Sequence, residues 1–233
     1  MRKAALLEPI SEPSHGVVSQ PSISASFMSS GAAILGGTAI IASYTMAVVR
    51  GDQPFGITHL PDITHCVLKQ PERGLFLTLF MPACMLQAGS WLAGAAGAPH
   101  GNTAAIWGVV SCALLILGEA MLDAHPNWTV HTIGASGFFL GAMVAQVMRA
   151  RKAAPNEAPK SLLAKRIIAG TNVGILLLDG VFALLKAPIW MANLCEWTLA
   201  LTVLLYHCTF AYDLHGARLA LVMPAAPVSS STC

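Results

Sequence analysis

The sequence predicts an all-α fold, a six-helix transmembrane bundle with both termini cytoplasmic, from its composition, its apolar segments and its basic residues. Of its 233 residues, 55% are hydrophobic and 10% are charged, whereas soluble domains carry roughly 25% charged residues. Six apolar segments are each near the length of about 20 residues that a helix needs to cross a bilayer. We therefore expect one membrane domain, residues 31–214, between flexible cytoplasmic tails at residues 1–30 and 215–233.

The predicted spans follow one another with mostly short connections. They are residues 31–49, 74–97, 104–122, 129–148, 167–186 and 193–214. The N-terminal tail is rich in Ser and Pro and lacks the apolar core of a cleaved signal peptide. The two longer connections are residues 50–73 and the basic hydrophilic loop at residues 149–166.

The orientation follows from the basic residues, which are enriched on the cytoplasmic side of membrane proteins. With six spans, nine of the thirteen lie on the side of the termini: Arg2, Lys3, Arg149, Arg151, Lys152, Lys160, Lys165, Arg166 and Arg218. The other side holds four: Arg50, Lys69, Arg73 and Lys186. We therefore expect both termini to be cytoplasmic.

Small residues at helical spacing predict close contacts between helices, because glycine lets two backbones approach. The fourth span carries Gly137 and Gly141, and the fifth carries Gly170 and Gly174. We expect both pairs to face a neighbouring helix.

The sixth span carries three ionisable residues, Glu196, His207 and Asp213. Such groups cost several kcal/mol in hydrocarbon unless they face protein or a wet cavity. Glu196 and His207 are eleven residues apart, about three helical turns, so they project from one face. We therefore expect this span to be an inner helix. A buried core histidine and a helix-end carboxylate remain the structural alternatives for His207 and Asp213.

Further ionisable groups collect on the predicted non-cytoplasmic side. They are His59, Asp62, His65, Glu119, Asp123, His125, His131, Asp179 and Glu196. Carboxylates and imidazoles at one depth suit acid–base catalysis, lipid-headgroup binding or a metal site, but they also pair simply to fix helix order. No helix carries two closely spaced metal-ligating residues in a zinc-type motif, so we predict no metal and no cofactor.

The remaining polar features restrict partners and modifications. A net charge of +2 without a basic, aromatic-rich cluster argues against nucleic acid. Most cysteines fit apolar packing, although a bridge between Cys66 and Cys195 is conceivable. The Asn127 sequon lies so close to two spans that we expect it to be unmodified. The basic loop is either a determinant of orientation or a contact for anionic lipid.

Several motifs resemble one family of polytopic eukaryotic membrane proteins. They are Leu60-Pro61-Asp62-Ile63-Thr64, Pro71-Glu72-Arg73 with Phe76, Glu119 followed by His131 and Phe138-Phe139, Glu196-Trp197, and Tyr206-His207-x-Thr209-x-x-x-Asp213-Leu214. The family contains GPI-anchor lipid remodelling proteins, the N-terminal domain of a fungal cell-wall biogenesis protein and damage-regulated autophagy modulators. Asp62 and His65 stand where the family pattern has small residues.

The resemblance implies a protein of the secretory pathway, in the Golgi or endoplasmic reticulum, with the lysosome and plasma membrane as alternatives. It implies a role in fatty-acid remodelling of GPI anchors at the lumenal leaflet. Carried over by position, the catalytic candidates are Glu119, His131, Glu196 and His207. The substrate-binding candidates are Pro61, Pro71, Glu72, Arg73 and Asp213, to which the predicted outer face adds Asp179. Arg73 suits a phosphate, and Glu119, His131 and Glu196 suit proton transfer.

Two other functions compete with lipid remodelling. A non-catalytic scaffold, regulating autophagy or recruiting a phosphoinositide kinase, would use the basic loop to contact partners. A small proton-coupled transporter would use Asp179 and Glu196, but no internal repeat is visible. The expected partners are a membrane lipid or GPI-anchor lipid and other membrane proteins. Whether the chain catalyses a reaction is left open by the sequence.

Overall fold

The computed structural model describes residues 22–95, 98–124, 128–154 and 157–220. The described elements are β1 (Ser22–Ser24), α1 (Ala25–Val49), a 3-10 turn (Ile57–His59), α2 (Ile63–Cys66), α3 (Glu72–Ala95), α4 (Gly101–Ala124), α5 (Trp128–Ala150), α6 (Pro159–Leu184), α7 (Ile189–Asp213) and β2 (Arg218–Ala220). Six of these helices, all except α2, are long and apolar enough to cross a membrane. The predicted all-α bundle with six spans is confirmed, whereas the side that each terminus faces stays a prediction.

The six long helices form a closed ring. α1, α3, α4, α5, α6 and α7 pack against one another in chain order, and contacts between α1 and α7 complete the ring. The pair α4 and α5 is packed most tightly, and α5 and α6 make the weakest of the contacts around the ring. This uneven packing leaves space beside α5, and the candidate site lies there.

The two ends of the bundle differ in structure. The α2 end holds the segment between α1 and α3 and the α4–α5 and α6–α7 connections. The ribbon end holds the antiparallel pairing of β1 with β2, in which Ile23 lies opposite Leu219. It also holds the α3–α4 and α5–α6 connections. Both described chain ends therefore lie at the ribbon end.

Three helices begin at least four residues earlier than the sequence predicts. α1 begins at Ala25, so part of the predicted N-terminal tail is helical. α7 begins at Ile189, directly after Pro188. α6 begins at Pro159 and is helical through much of the predicted basic loop. Proline is favoured in the first turn of a helix because its missing N–H would have no helical partner there.

The glycines explain why α4 and α5 pack closely. A Cβ on Gly134 would lie 2.6 Å from the backbone oxygen of Leu114, and one on Gly141 would lie 2.9 Å from the Ser111 side chain. The predicted close packing at Gly137 and Gly141 is confirmed. The prediction for Gly170 and Gly174 is wrong, because a Cβ added at either position would meet no neighbouring helix within 4 Å.

The helix α6 is the most exposed of the spans, since only 11% of its apolar stretch is buried within the protein. Polar contacts at mid-length attach it to its neighbours. The Asn172 amide donates to Gln146 Oε1 of α5 at 2.6 Å, and the Thr202 hydroxyl of α7 donates to Asn172 Oδ1. Hydrogen bonds of this kind hold a helix in place where the surrounding lipid is as apolar as its own side chains.

Candidate functional site

A buried ion pair joins α3 to α4 at the α2 end. Arg73 Nη1 donates to Glu119 Oε2 at 2.6 Å, and Arg73 Nη2 donates to the Glu119 backbone oxygen at 2.7 Å. Both residues are 4% exposed. A paired geometry of this kind offsets the cost of removing two charges from water. Both terminal nitrogens of the Arg73 guanidinium bond to Glu119. The binding of a phosphate by Arg73 stays a prediction.

The imidazole of His131 lies between this carboxylate and α2. Its Nδ1 atom is 3.6 Å from Glu119 Oε1, and its Nε2 atom is 2.8 Å from the hydroxyl oxygen of Thr64. His131 is in the first turn of α5, so its side chain reaches the end of the bundle where α2 lies. The helices α2, α4 and α5 therefore each contribute one polar side chain to a row formed by Thr64, His131 and Glu119.

The short helix α2 is held in place by its own cap and by α7. Asp62 accepts the His65 backbone N–H at 2.7 Å, the usual arrangement for a helix N-cap. The Trp197 indole N–H donates to the Pro61 carbonyl at 2.9 Å, and the Asn193 amide donates to the Leu60 carbonyl at 2.8 Å. These bonds fix the backbone around Pro61 and so the position of Thr64.

The carboxylate of Glu196 reaches the same region from α7. It faces the backbone N–H of Ile63 at the start of α2. Glu119, His131 and Glu196 all line one small cavity of about 50 Å³, together with Thr64 and mostly apolar side chains. We call Thr64, Glu119, His131 and Glu196 the acid–imidazole cluster.

A larger cavity of about 610 Å³ adjoins this cluster and lies between α5 on one side and α6 and α7 on the other. Its polar lining includes Asp62, His65 and Asp179 as well as Thr64, His131 and Glu196. Its apolar lining includes Phe139, Leu140, Leu176 and Leu199. The cavity therefore combines polar groups at one end with an apolar wall suited to a hydrocarbon chain. Among the described residues, no three His, Cys, Asp or Glu side chains are arranged to hold a metal ion.

Charged residues outside the cavity pair at the same end. Glu72 is buried, and its Oε1 lies 3.1 Å from Arg50 Nε. Lys69 Nζ lies 2.6 Å from Asp52, and hydrogen bonds from Lys69 and then Arg50 lower the pKa of the Asp52 carboxyl. Pro71 is exposed. Neither Glu72 nor Pro71 lines either of these two cavities, so substrate binding by them stays a prediction.

Two predicted site residues lie away from the cluster. His207 is fully buried, and its Nδ1 is 2.7 Å from the Ser90 hydroxyl, beside the Trp91 ring. Asp213 lies at the opposite, ribbon end, where it accepts from Lys165 and from the Ser161 hydroxyl at 2.9 Å. The structure thus does not bring His207 or Asp213 together with Glu119, His131 and Glu196.

The predicted basic loop is partly an internal ion network. Glu157 accepts from Arg149 at 3.0 Å and from Lys165, and Lys165 also contacts Asp213. Burial by itself raises the pKa of the Glu157 carboxyl, but the Lys165 hydrogen bond, the Ala154 N–H and Arg149 together lower it. Arg149 and Lys165 are therefore committed to the fold and unavailable to an outside surface.

The cysteines that the structure describes are all free thiols, so the conceivable bridge between Cys66 and Cys195 is not formed. Burial raises the pKa of the Cys66 thiol to about 12, so this thiol is protonated at neutral pH. The sequon residue Asn127 and the predicted outer residue His125 lie outside the described residues. The structure does not describe the side chain of Asp123 either.

A comparison with protein-family models identifies the chain, because the model described as Frag1/DRAM/Sfk1/Cwh43P N-terminal domain matches residues 24–217. The chain belongs to this family. The resemblance predicted from the motifs is confirmed, and the matched residues include all six candidate spans and the acid–imidazole cluster. No curated protein and no solved structure matches the chain. The protein is thus a multi-pass membrane protein of the Frag1/DRAM/Sfk1/Cwh43P family.

For this family member, sequence reasoning selected Glu119, His131, Glu196 and Asp179, all of which line the adjoining cavities. It passed over Thr64, which contacts His131 directly. A signal was present, since Thr64 closes the first family motif, Leu60-Pro61-Asp62-Ile63-Thr64. Thr64 falls in the predicted connection at residues 50–73, where no hydrophobic periodicity marks a single threonine.

Proposed function

We propose that this protein acts in the fatty-acid remodelling of GPI-anchor lipids, at the leaflet in contact with its α2 end. The observation that carries the proposal is the meeting of Glu119, His131 and Glu196 along one cavity, next to a larger one with an apolar wall. Membership of the family supports the same function. The proposal requires the α2 end to face the lumen of the Golgi or endoplasmic reticulum, with both termini in the cytosol.

The depth of the cluster suits a lipid ester. α4 has 24 residues, a length of about 36 Å at 1.5 Å per residue, against a hydrocarbon core of about 30 Å. Glu119 lies five residues before the end of α4, and His131 is the fourth residue of α5. Both therefore lie near the boundary between hydrocarbon and headgroups. The ester carbonyls of glycerolipids occupy that boundary, with their acyl chains extending into the core.

The larger cavity supplies the binding site in this proposal. An acyl chain would contact its apolar side chains, such as Phe139 and Leu199, and the headgroup would remain near Asp62 and His65. His131 and Glu196 would then lie at the ester, where they can take up or give a proton during acyl transfer. Asp179 on α6 would contact hydroxyl groups of the lipid from the opposite wall.

The test is the lipid composition of GPI anchors in cells that lack this protein and are complemented with variants. We expect the wild type to restore the composition, and His131→Ala and Glu196→Gln not to restore it at equal protein abundance. Two controls change a histidine and a carboxylate elsewhere at the α2 end: His59→Ala and Asp52→Asn. An anchor composition that is unaltered by loss of the protein would contradict the proposal.

A membrane scaffold is the second candidate, and one observation favours it. Arg151, Lys152 and Lys160 are exposed at the ribbon end, although Arg149 and Lys165 are buried in ion pairs. Under this function, replacing the three exposed cations with Gln should abolish activity in cells, whereas the cavity variants should not. Under lipid remodelling the opposite result is expected.

A further inference from the structure

We propose that Thr64 is the nucleophile of a Thr64–His131–Glu119 triad that takes the acyl group from a glycerolipid ester. The inference rests on the proposed function and deepens it, because it specifies the bond that is cleaved and the atom that receives the acyl group. The observation behind it is the order of three groups: the Thr64 hydroxyl within hydrogen-bond distance of one nitrogen of the His131 imidazole, and the Glu119 carboxylate 3.6 Å from the other nitrogen. This is the arrangement in which a histidine activates a hydroxyl nucleophile.

The carboxylate decides which imidazole nitrogen carries the proton. Glu119 Oε1 lies 3.6 Å from His131 Nδ1, so a negative charge faces that nitrogen. Attraction favours a proton on Nδ1 and disfavours a lone pair there. In a neutral ring with that proton on Nδ1, Nε2 is an acceptor, and it lies 2.8 Å from the Thr64 hydroxyl oxygen. In that tautomer the lone pair of Nε2 would face the Thr64 hydroxyl, as a general base requires.

The fold fixes the positions of the Glu119 carboxylate and of the segment that carries Thr64. Arg73 holds Glu119 through both its side-chain and backbone oxygens, at 2.6 and 2.7 Å. The bonds from α7 to the Pro61 and Leu60 carbonyls fix the segment that carries Thr64. Glu119 and Arg73 are thus positioning residues for His131, and His131 and Thr64 are the groups that would contact the substrate.

The Thr64 hydroxyl differs from most of the helical threonine hydroxyls, although Thr202 also bonds to a distant side chain, that of Asn172. Thr45, Thr78 and Thr198 each donate to the carbonyl of the residue four positions earlier in their own helix. This is an ordinary local arrangement for a helical hydroxyl. Thr64 instead bonds to His131, 67 positions away in the sequence, and it also lines both cavities. Asp62 already provides the α2 cap, so the cap does not require this hydroxyl.

The proposed reaction has two balanced steps. In the first, Thr64 Oγ1 attacks the ester carbonyl carbon while its proton passes to His131 Nε2. The tetrahedral intermediate collapses, the bond to the glycerol oxygen breaks, and the leaving lysolipid alkoxide takes that proton. In the second, water or the hydroxyl of an acceptor lysolipid attacks the Thr64 ester. His131 accepts its proton and returns it to Thr64 Oγ1, releasing a fatty acid or a new lipid ester.

The test uses the purified full chain in nanodiscs that contain phosphatidylinositol with deuterated acyl chains. After an acid quench, mass spectrometry would locate any acyl adduct, and the released lysolipid would report ester cleavage. We expect a deuterated acyl ester on Thr64 in the wild type and on the serine in Thr64→Ser. Thr64→Val keeps the side-chain shape and removes the hydroxyl. It should form no adduct and lose about 10²-fold or more in cleavage, as expected for a lost nucleophile or base.

Matched variants separate catalysis from folding. Thr198→Val removes a hydroxyl that only bonds its own helix, and it should cleave ester at the wild-type rate. Thermal unfolding of each variant in the same nanodiscs checks that the chain is folded, and recovery by Thr64→Ser provides a second check. Cleavage by Thr64→Val at the wild-type rate, an adduct on another residue, or no cleavage by the wild type would each overturn the triad.

The outcomes also distinguish the triad from the proposed function. If Thr64-dependent ester cleavage occurs but GPI anchors are unaltered in cells lacking the protein, the triad stands and the GPI role is wrong. If anchor composition depends on the protein and Thr64→Val restores it fully, the GPI role stands and the triad is overturned.

Discussion

The buried lysine at the ribbon end provides a direct test of how the fold is stabilised. Lys165 is 0% exposed and lies between Glu157 and Asp213. Its ammonium also lies 5.1 Å from the centre of the Phe210 ring. Lys165→Met keeps an unbranched side chain and removes the charge. The matched control is Lys160→Met, which changes an exposed lysine in the same helix.

The stability lost in Lys165→Met depends on which cations remain beside Glu157 and Asp213. Removing one member of a buried ion pair costs about 3–5 kcal/mol, because the other charge is left without compensation. Glu157 keeps Arg149 at 3.0 Å, so Asp213 is the carboxylate that loses its cation. We therefore expect the lower end of that range, about 3 kcal/mol in the free energy of unfolding, or roughly 10²-fold in the unfolding equilibrium. Lys160→Met should change the free energy of unfolding by less than about 0.5 kcal/mol.

The assay is unfolding of the purified protein in one detergent, followed by heat and by denaturant. By the scaling for domains of this size, about 3 kcal/mol corresponds to a loss of about 6–12 °C in Tm. Lys165→Met combined with Asp213→Asn should recover part of the loss, since the uncompensated charge is then gone. Equal stability of Lys165→Met and the wild type would refute the assignment of this network as a structural element.

Two further predictions concern pH and helix packing. The pKa of Glu157 is lowered in the folded protein, so its ionised carboxylate stabilises the fold at pH values above 4.5, the ordinary pKa of the group. This contribution disappears as pH falls through the lower folded value. The Tm difference between wild type and Glu157→Gln should therefore be largest near neutral pH and vanish in strong acid; a constant difference would contradict this. Gly134→Ala places a Cβ 2.6 Å from the Leu114 oxygen, so it should cost about 1–3 kcal/mol through overpacking. Gly174→Ala, which meets nothing within 4 Å, should leave Tm unchanged or slightly raised, and equal losses in both would contradict the packing argument.

The fold was largely predictable, because a bilayer imposes one length on every spanning helix. Six apolar runs of that length gave six spans in the right order. The boundaries were less predictable, as α6 shows. Its first two turns contain Lys160 and Lys165, which hydropathy assigns to a loop. Lys165 is nevertheless helical, because its charge is compensated by carboxylates from other segments.

The candidate site was predictable only as a set of residues at one end of the bundle. Glu119, His131 and Glu196 were selected because ionisable groups are unexpected in spans, and they line one cavity. The same argument selected His207, which bonds to Ser90 inside the core. The energetic cost of a polar side chain in hydrocarbon indicates that the side chain faces protein. That cost does not identify the residue that the side chain contacts.

The sequence by itself determined that this is a six-span membrane protein of a defined family, since span length, span order and motif order are all written along the chain. Tertiary structure alone decided that Arg73 pairs with Glu119, that Thr64 reaches His131, and that Asp213 belongs to the opposite end. These contacts depend on how each helix is rotated about its axis once the ring closes. That rotation is set by packing among all six helices, and no local pattern of residues encodes it.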